Sequence, residues 1–251
     1  MSGHSHWATI KRSKGAADAK KGQVYTKLGR ELEIAARDGG GDPSSNFKLR
    51  LIMDKAKAAQ MPKENIERAI LRGTGQLKGA ALEEIQYEGY GVQGAAMVVE
   101  VVTNNKNRAA SEVRRVFTRH GGNLGATGSV SWMFERKGYI SILPSDGNAE
   151  ELALMAIDAG ADDVKVDEDL VEIFTKADEL KKIKEALEER KIPFETAQLS
   201  WVPKSFTQLD QKATIANMRL IDGLEELEDV VQVYSNVEIS DEAMAAYEAQ
   251  E

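Results

Sequence analysis

The apolar residues of this 251-residue chain change their spacing once, at "RGTGQLKGA" (72–80), and that change bounds the folds open to it. Before it, apolar side chains recur every three or four residues, the period of a helix with one buried face. After it, alternating or continuous apolar runs separated by glycines read as strands, with helices between them. A helical domain followed by α+β structure is what this grammar imposes.

In the helical third, Val24, Tyr25, Leu28, Leu32 and Ala35 define one apolar stripe between about Ala16 and Asp38. At about 100° per residue, Lys20, Lys27, Arg30 and Arg37 fall within an arc of roughly 100° beside that stripe. The expectation is an apolar face inward and a basic ridge outward. "GGGDP" (39–43) stops this helix, with Asp42 expected as N-cap and Pro43 in the first turn of a second helix running to about Gln60. Pro62 starts a short third helix, which "RGTG" ends.

Beyond the change, "EEIQYEGYG" and "AAMVVEVVT" are expected strands joined by a turn at "GVQG" (91–94). A helix follows from about Asn105 to Arg119, then "SVSWMFE" (129–135) as a strand. Next come a strand near 137–143, a helix at 149–159, strands "DDVKVD" and "LVEIFT", a helix at 178–190 and a strand at 195–202. That β-α-β-β-α-β order is the ferredoxin-like unit. The remaining helix (about 210–225) and strand (229–239) cannot form a core alone, so they are expected to return to the first strands, with the ferredoxin-like unit inserted.

Charge is distributed unevenly. Residues 1–75 carry +7, residues 76–140 carry +2 and residues 141–251 carry −17, within a chain of formal net charge −8. Such asymmetry points to a polyanion-binding end. The opening "GHSHWATIKRSKGAADAKKGQ" (3–23) concentrates it, with five lysines and arginines, one acid and Trp7. Several cations on one frame suit phosphate, Trp7 offers a stacking face for an unpaired base, and His4 and His6 can donate to phosphate oxygens.

Catalytic signals are weak by comparison. No cysteine is present, and no G-x-S-x-G, H-E-x-x-H or P-loop pattern occurs. Acidic clusters such as "DDVKVDED" (162–169) read as solvated turns. "GGNLGATGSVSW" (121–132), after a helix bearing Arg108, Arg114, Arg115 and Arg119, could cradle a phosphate, but its spacing fits no nucleotide fingerprint and it follows a helix C-terminus. It is read first as a turn, with a nucleotide-dependent enzyme as a distant alternative. Ser2-Gly3-His4 would form a square-planar copper or nickel site if Met1 were removed, a three-residue match that chance readily supplies. No catalytic residue, metal or cofactor is therefore assigned. The first residues lack the apolar core of a signal peptide and no apolar run spans a bilayer, so a cytoplasmic protein without a membrane partner is expected.

Several stretches together resemble the YebC/PmpR family, which includes a mitochondrial translational activator of cytochrome oxidase. They are "GHSHWATIKRSKGAADAKKG", "YTKLGRELEIAARDGGGDPSSNFKLRLIMDKAKAAQMPKENIERAI", "RGTG", "YEGYG", "TNNKNR", "GGNLGATGSVSWMFERKG" and "VQVYSNVEI". The chain departs from the family at His6, where lysine is common, which removes a fixed charge. The resemblance implies a helical N-terminal domain plus two α+β domains and no catalytic activity. It also implies either DNA-binding transcriptional regulation or ribosome-associated assistance to the translation of difficult, proline-rich stretches.

The expectation is thus an α+β protein. Its domains are a basic helical one at 1–75, a discontinuous one at 76–135 plus 204–251, and an inserted ferredoxin-like one at 136–203. The contact set is His4, His6, Trp7, Lys11, Arg12, Lys14, Lys20, Lys21, Lys27, Arg30 and Arg37. The partner is DNA, or ribosomal RNA on the ribosome. The acidic C-terminal portion faces solvent, a protein partner or the basic domain itself. Reversing Lys20, Lys27 and Arg30 to glutamate is expected to abolish binding and spare the fold. The sequence leaves the oligomeric state open.

Overall fold

The computed structural model describes residues 18–79, 81–144, 148–167 and 170–250, with residues 18–20 described as backbone only. Among them are eight helices and two four-stranded sheets in which every pairing is antiparallel, an α+β fold. The chain divides into two compact units: Phe134–Lys204, and the residues up to Met133 together with Ser205 onward.

In the larger unit, α1 (Asp18–Gly39), α2 (Phe47–Ala58) and α3 (Lys63–Gly73) enclose a core of Leu28, Leu32, Ala35, Leu49, Ile52, Ala56, Ile66 and Ala69. Gly73 lets the end of α3 lie directly on α1, because a methyl group there would sit 2.2 Å from the Glu33 carbonyl oxygen. Asn46, not Asp42, caps α2. Its side chain accepts from the Leu49 N–H and donates to the Ala35 and Gly40 carbonyls, tying the cap to α1. Asp42 instead closes the preceding turn by accepting from the Ser44 N–H and hydroxyl.

The rest of this unit is a sheet of order β3-β1-β2-β8, formed by Asn123–Leu124, Glu83–Tyr90, Ala96–Thr103 and Val230–Ser235. Strand alternation sends Met97, Val99 and Val101 to one face. There they join side chains of α4 (Lys106–Arg119), α7 (Gln211–Glu225) and α8 (Asp241–Glu248) in a second core. Val102 points the other way and meets Leu82 and Ile34 of α1. Helix α1 is therefore buried on two sides, against its own bundle and against the sheet.

The smaller unit runs β4 (Phe134–Ile142), α5 (Ala149–Ala159), β5 (Asp163–Val166), β6 (Val171–Lys176), α6 (Leu180–Glu189) and β7 (Thr196–Pro203). Its sheet order, β5-β6-β4-β7, is that of a ferredoxin-like domain. Phe134 and Pro203, at its two ends, are direct partners across the β4–β7 ladder. Adjacent ends explain how such a unit can be inserted into another: the host chain leaves and returns at ladder spacing, about 5 Å.

The two strands expected at 129–135 and 137–143 are corrected to one, β4: residues 131–133 form a 3₁₀ turn, because Glu88 gathers the backbone N–H groups there. Strand β3 and helix α8 are absent from the sequence reading: a two-residue strand has no period to detect, and α8 is only eight residues long.

Candidate nucleic-acid interface

His4, His6, Trp7, Lys11, Arg12 and Lys14 lie outside the described residues, and for Lys20 only the backbone is described. Lys21 is exposed in the first turns of α1. The remaining cations of the ridge do not stand clear of the fold. Lys27 Nζ donates to the Glu225 carbonyl, and Gln23, one turn earlier, donates to that of Glu226. These carbonyls end α7, where a helix leaves C=O groups unpaired and carries partial negative charge, so a cation and an amide from α1 cap it. Arg37 Nη1 donates to the Leu82 carbonyl at 2.5 Å and its Nε to Asp38 Oδ1 at 2.9 Å.

Arg30 is the most committed. Its Nη1 lies 2.5 Å from Asp229 Oδ1 and its Nη2 2.6 Å from Glu228 Oε1. Asp229 is buried and also accepts from Thr103 Oγ1 at 2.8 Å and Arg108 Nη2 at 2.7 Å. Burial alone would raise its carboxyl, but the Arg108 and Thr103 hydrogen bonds and the nearby guanidinium charges outweigh it and hold it below the ordinary range. One carboxylate thus ties α1 to α4 and to the end of β2. The outward ridge is corrected accordingly: from residue 23 onward, the polar side of α1 is its mount on the α+β domain. Helical periodicity locates both faces but cannot see a partner 200 residues away.

The glycine-rich stretch after α4 is also occupied. Glu88 is buried, its Oε1 accepting from the Gly128 N–H at 2.8 Å and its Oε2 from the Val130 and Ser131 N–H groups at 2.7 and 2.8 Å. Desolvation would raise this carboxyl, yet the three backbone donors prevail and keep it low. A nucleotide phosphate would have to displace an ionised carboxylate that already fills the cradle. The loop carries Trp132, 66 % exposed, with its indole Nε1 donating to the Ser129 carbonyl at 3.0 Å.

In the smaller unit, Tyr139 and Phe174 lie side by side on the central strands β4 and β6, ring centroids 5.6 Å apart. RNA-binding domains of this topology stack bases on aromatics of those strands. Here both rings are buried, and the Tyr139 hydroxyl donates to Glu172 Oε1 at 3.0 Å. That face is not an open stacking platform. Among the described residues no group of three or more His, Cys, Asp or Glu could hold a metal, and no helix is long and apolar enough to cross a membrane.

Comparison with known proteins places this architecture. A model of the TACO1/YebC N-terminal domain matches residues 5–76, and one of the TACO1/YebC second and third domain matches residues 82–237. The chain belongs to the TACO1/YebC family. A relative from Chloroflexus aurantiacus is 51 % identical over 99 % of this chain and 100 % of its own length. One from Geobacter sulfurreducens is 50 % identical over 97 % and 98 %. Both are named "Probable transcriptional regulatory protein". The crystal structure of a conserved hypothetical protein, Aq1575, from Aquifex aeolicus superposes with a TM-score of 0.87 at 48 % identity, covering 94 % of this chain and 98 % of that one. Both of these relatives are regulators by name, and the fold is shared over 94 % of the chain.

Proposed function

We propose that this TACO1/YebC protein is a non-catalytic, nucleic-acid-binding regulator of gene expression whose basic N-terminal arm contacts the phosphate backbone. The observation that carries this is the division of cations along α1. Lys27, Arg30 and Arg37 are engaged by the fold, and the cationic stretch of Lys11, Arg12, Lys14 and Lys20, with Lys21 next to it, precedes them in the chain. His4, His6 and Trp7 extend that stretch. Lys27, Arg30 and Arg37 serve it by fixing the helix from which the arm departs.

The relatives' names favour DNA and transcription. A second reading, binding to ribosomal RNA in support of translation, is favoured by the docking of α1. Helix α1 packs Lys27 and Arg30 against residues 225–229 and so does not present these two cations to a major groove. A binder that reads backbone and stacks one aromatic suits structured RNA.

Competition titration of the full chain against duplex DNA and ribosomes, at two salt concentrations, separates these readings. Preference for duplex DNA with a steep salt dependence supports transcription. Preference for ribosomes, with DNA lost at about 0.15 M salt, supports translation. Failure to bind either overturns the proposal.

A further inference from the structure

Helix α4 buries Ala109, Val113, Val116 and Phe117, so its opposite face is set by what remains. Arg108, Arg115 and Arg119 fall within an arc of about 40° on that face, and Arg114 lies about 100° round the helix from Arg115. Arg114, Arg115 and Arg119 are exposed, and among the described residues no ion pair engages them. Lys48, Lys55, Lys57, Lys63 and Lys106 each meet a carboxylate. Glu112 is the one acid of α4, and no acid occurs from Val113 to Phe134. None of the exposed large apolar side chains lies on this helix, so the face is not built for an apolar partner.

Its position is the second observation. The C-terminal end of α4 packs on the last turns of α7: a methyl group at Gly223 would lie 3.1 Å from His120 Nε2. The same turns receive α1, whose Gln23 and Lys27 donate to the Glu226 and Glu225 carbonyls. Asp18, where α1 begins, precedes Gln23 by about one and a half turns, roughly 7.5 Å of helix. Gln23 and Lys27, which follow the arm, and His120, which follows the arginine face, therefore all abut residues 223–226. Arg219, one turn earlier on α7, is exposed there and donates to Gln250 Oε1 at 2.6 Å.

We propose that Arg114, Arg115 and Arg119, continued by Arg219, form a second phosphate-binding face that extends the arm's contact with a nucleic-acid backbone. The inference rests on the nucleic-acid reading above. Guanidinium forks match phosphate oxygens in pairs, and a track of them reads backbone without base sequence. Glu226 is the exposed acid in the seam, and it opposes the same phosphates.

The test titrates the full chain with a labelled 30-nucleotide single-stranded RNA and a duplex DNA of equal length across a range of salt. The variants are R115Q/R119Q, E226Q and, as a control for net charge alone, K57Q/K63Q. R115Q/R119Q is expected to weaken binding roughly tenfold and to flatten the log–log salt slope by about 1.4 on RNA or about 1.8 on duplex, with unchanged melting. The larger loss identifies which nucleic acid lies on the face. E226Q should tighten binding, and the control should change it less than about twofold.

Wild-type affinity retained in R115Q/R119Q, or an equal loss in the control, overturns the inference and leaves the arm reading standing. If wild type binds neither probe, the nucleic-acid reading fails and this inference with it. If R115Q/R119Q loses binding to polyglutamate but not to nucleic acid, the face belongs to an acidic protein and the inference is overturned.

Discussion

Asp229 joins three elements of the larger unit. Four groups converge on or beside it: Arg30, Arg108, Thr103 and the adjacent Glu228. Replacing it by asparagine leaves two guanidinium groups facing a neutral, partly mismatched amide. A cost of about 3 kcal/mol is expected, as for removing one partner of a buried pair. In a unit of this size that lowers Tm by roughly 6–12 °C, readable by calorimetry. The pH dependence has a definite sign. The folded carboxyls of Asp229 and Glu88 are both held below their ordinary values. Their contribution is therefore present above the ordinary carboxylate range, about 4, and is lost as pH falls through the depressed folded values. Denaturant midpoints should decline below about pH 4, and D229N should flatten that decline. Glu88→Gln is expected to cost about 1–3 kcal/mol, because its amide cannot accept from all three loop N–H groups. Amide exchange at Gly128, Val130 and Ser131 would report that loss.

At the scale of elements, α1 shows what a sequence yields and what it withholds. Its buried Leu28, Leu32 and Ala35 follow directly from spacing of about 3.6 residues. Ile34 falls off that stripe and is buried too, because the sheet packs on the other side of the helix. The ridge of Lys27, Arg30 and Arg37 was legible as a ridge, but its partners at 225–229 and at Leu82 lie too far along the chain for local pattern to reveal. The order of strands and helices in the inserted unit was legible because each element is long and bounded by turns. Residues 129–133 were not, since a buried carboxylate on another strand decides their shape. Helix contact explains Gly73: a side chain there meets backbone at 2.2 Å, so Gly73→Ala is expected to push α3 from α1 and cost about 3 kcal/mol in thermal denaturation. By contrast Lys48→Ala breaks only a surface pair with Glu84, about half exposed on both sides, and should cost under about 1 kcal/mol.

Over the whole molecule, charge asymmetry proves to be partly an internal affair. The N-terminal excess is held against the acidic 225–229 segment through Arg30, Glu228 and Asp229, one of the dispositions open to the acidic portion. Contact with an external polyanion is assigned to the arm that precedes the mount, extended by the arginine face of α4. The division of α1 and its arm into mount and contact, separate sets of cations on one segment, is the proposition at stake. It is tested most directly by measuring melting and nucleic-acid affinity together for two variants of the full chain, K11E/R12E/K14E and R30E. Crossed outcomes are expected. The arm variant should melt like wild type and lose binding with most of its salt dependence, whereas R30E, which sets a carboxylate against Asp229 and Glu228, should melt several degrees lower. An arm variant that binds as wild type does, or an R30E that melts unchanged, would contradict it.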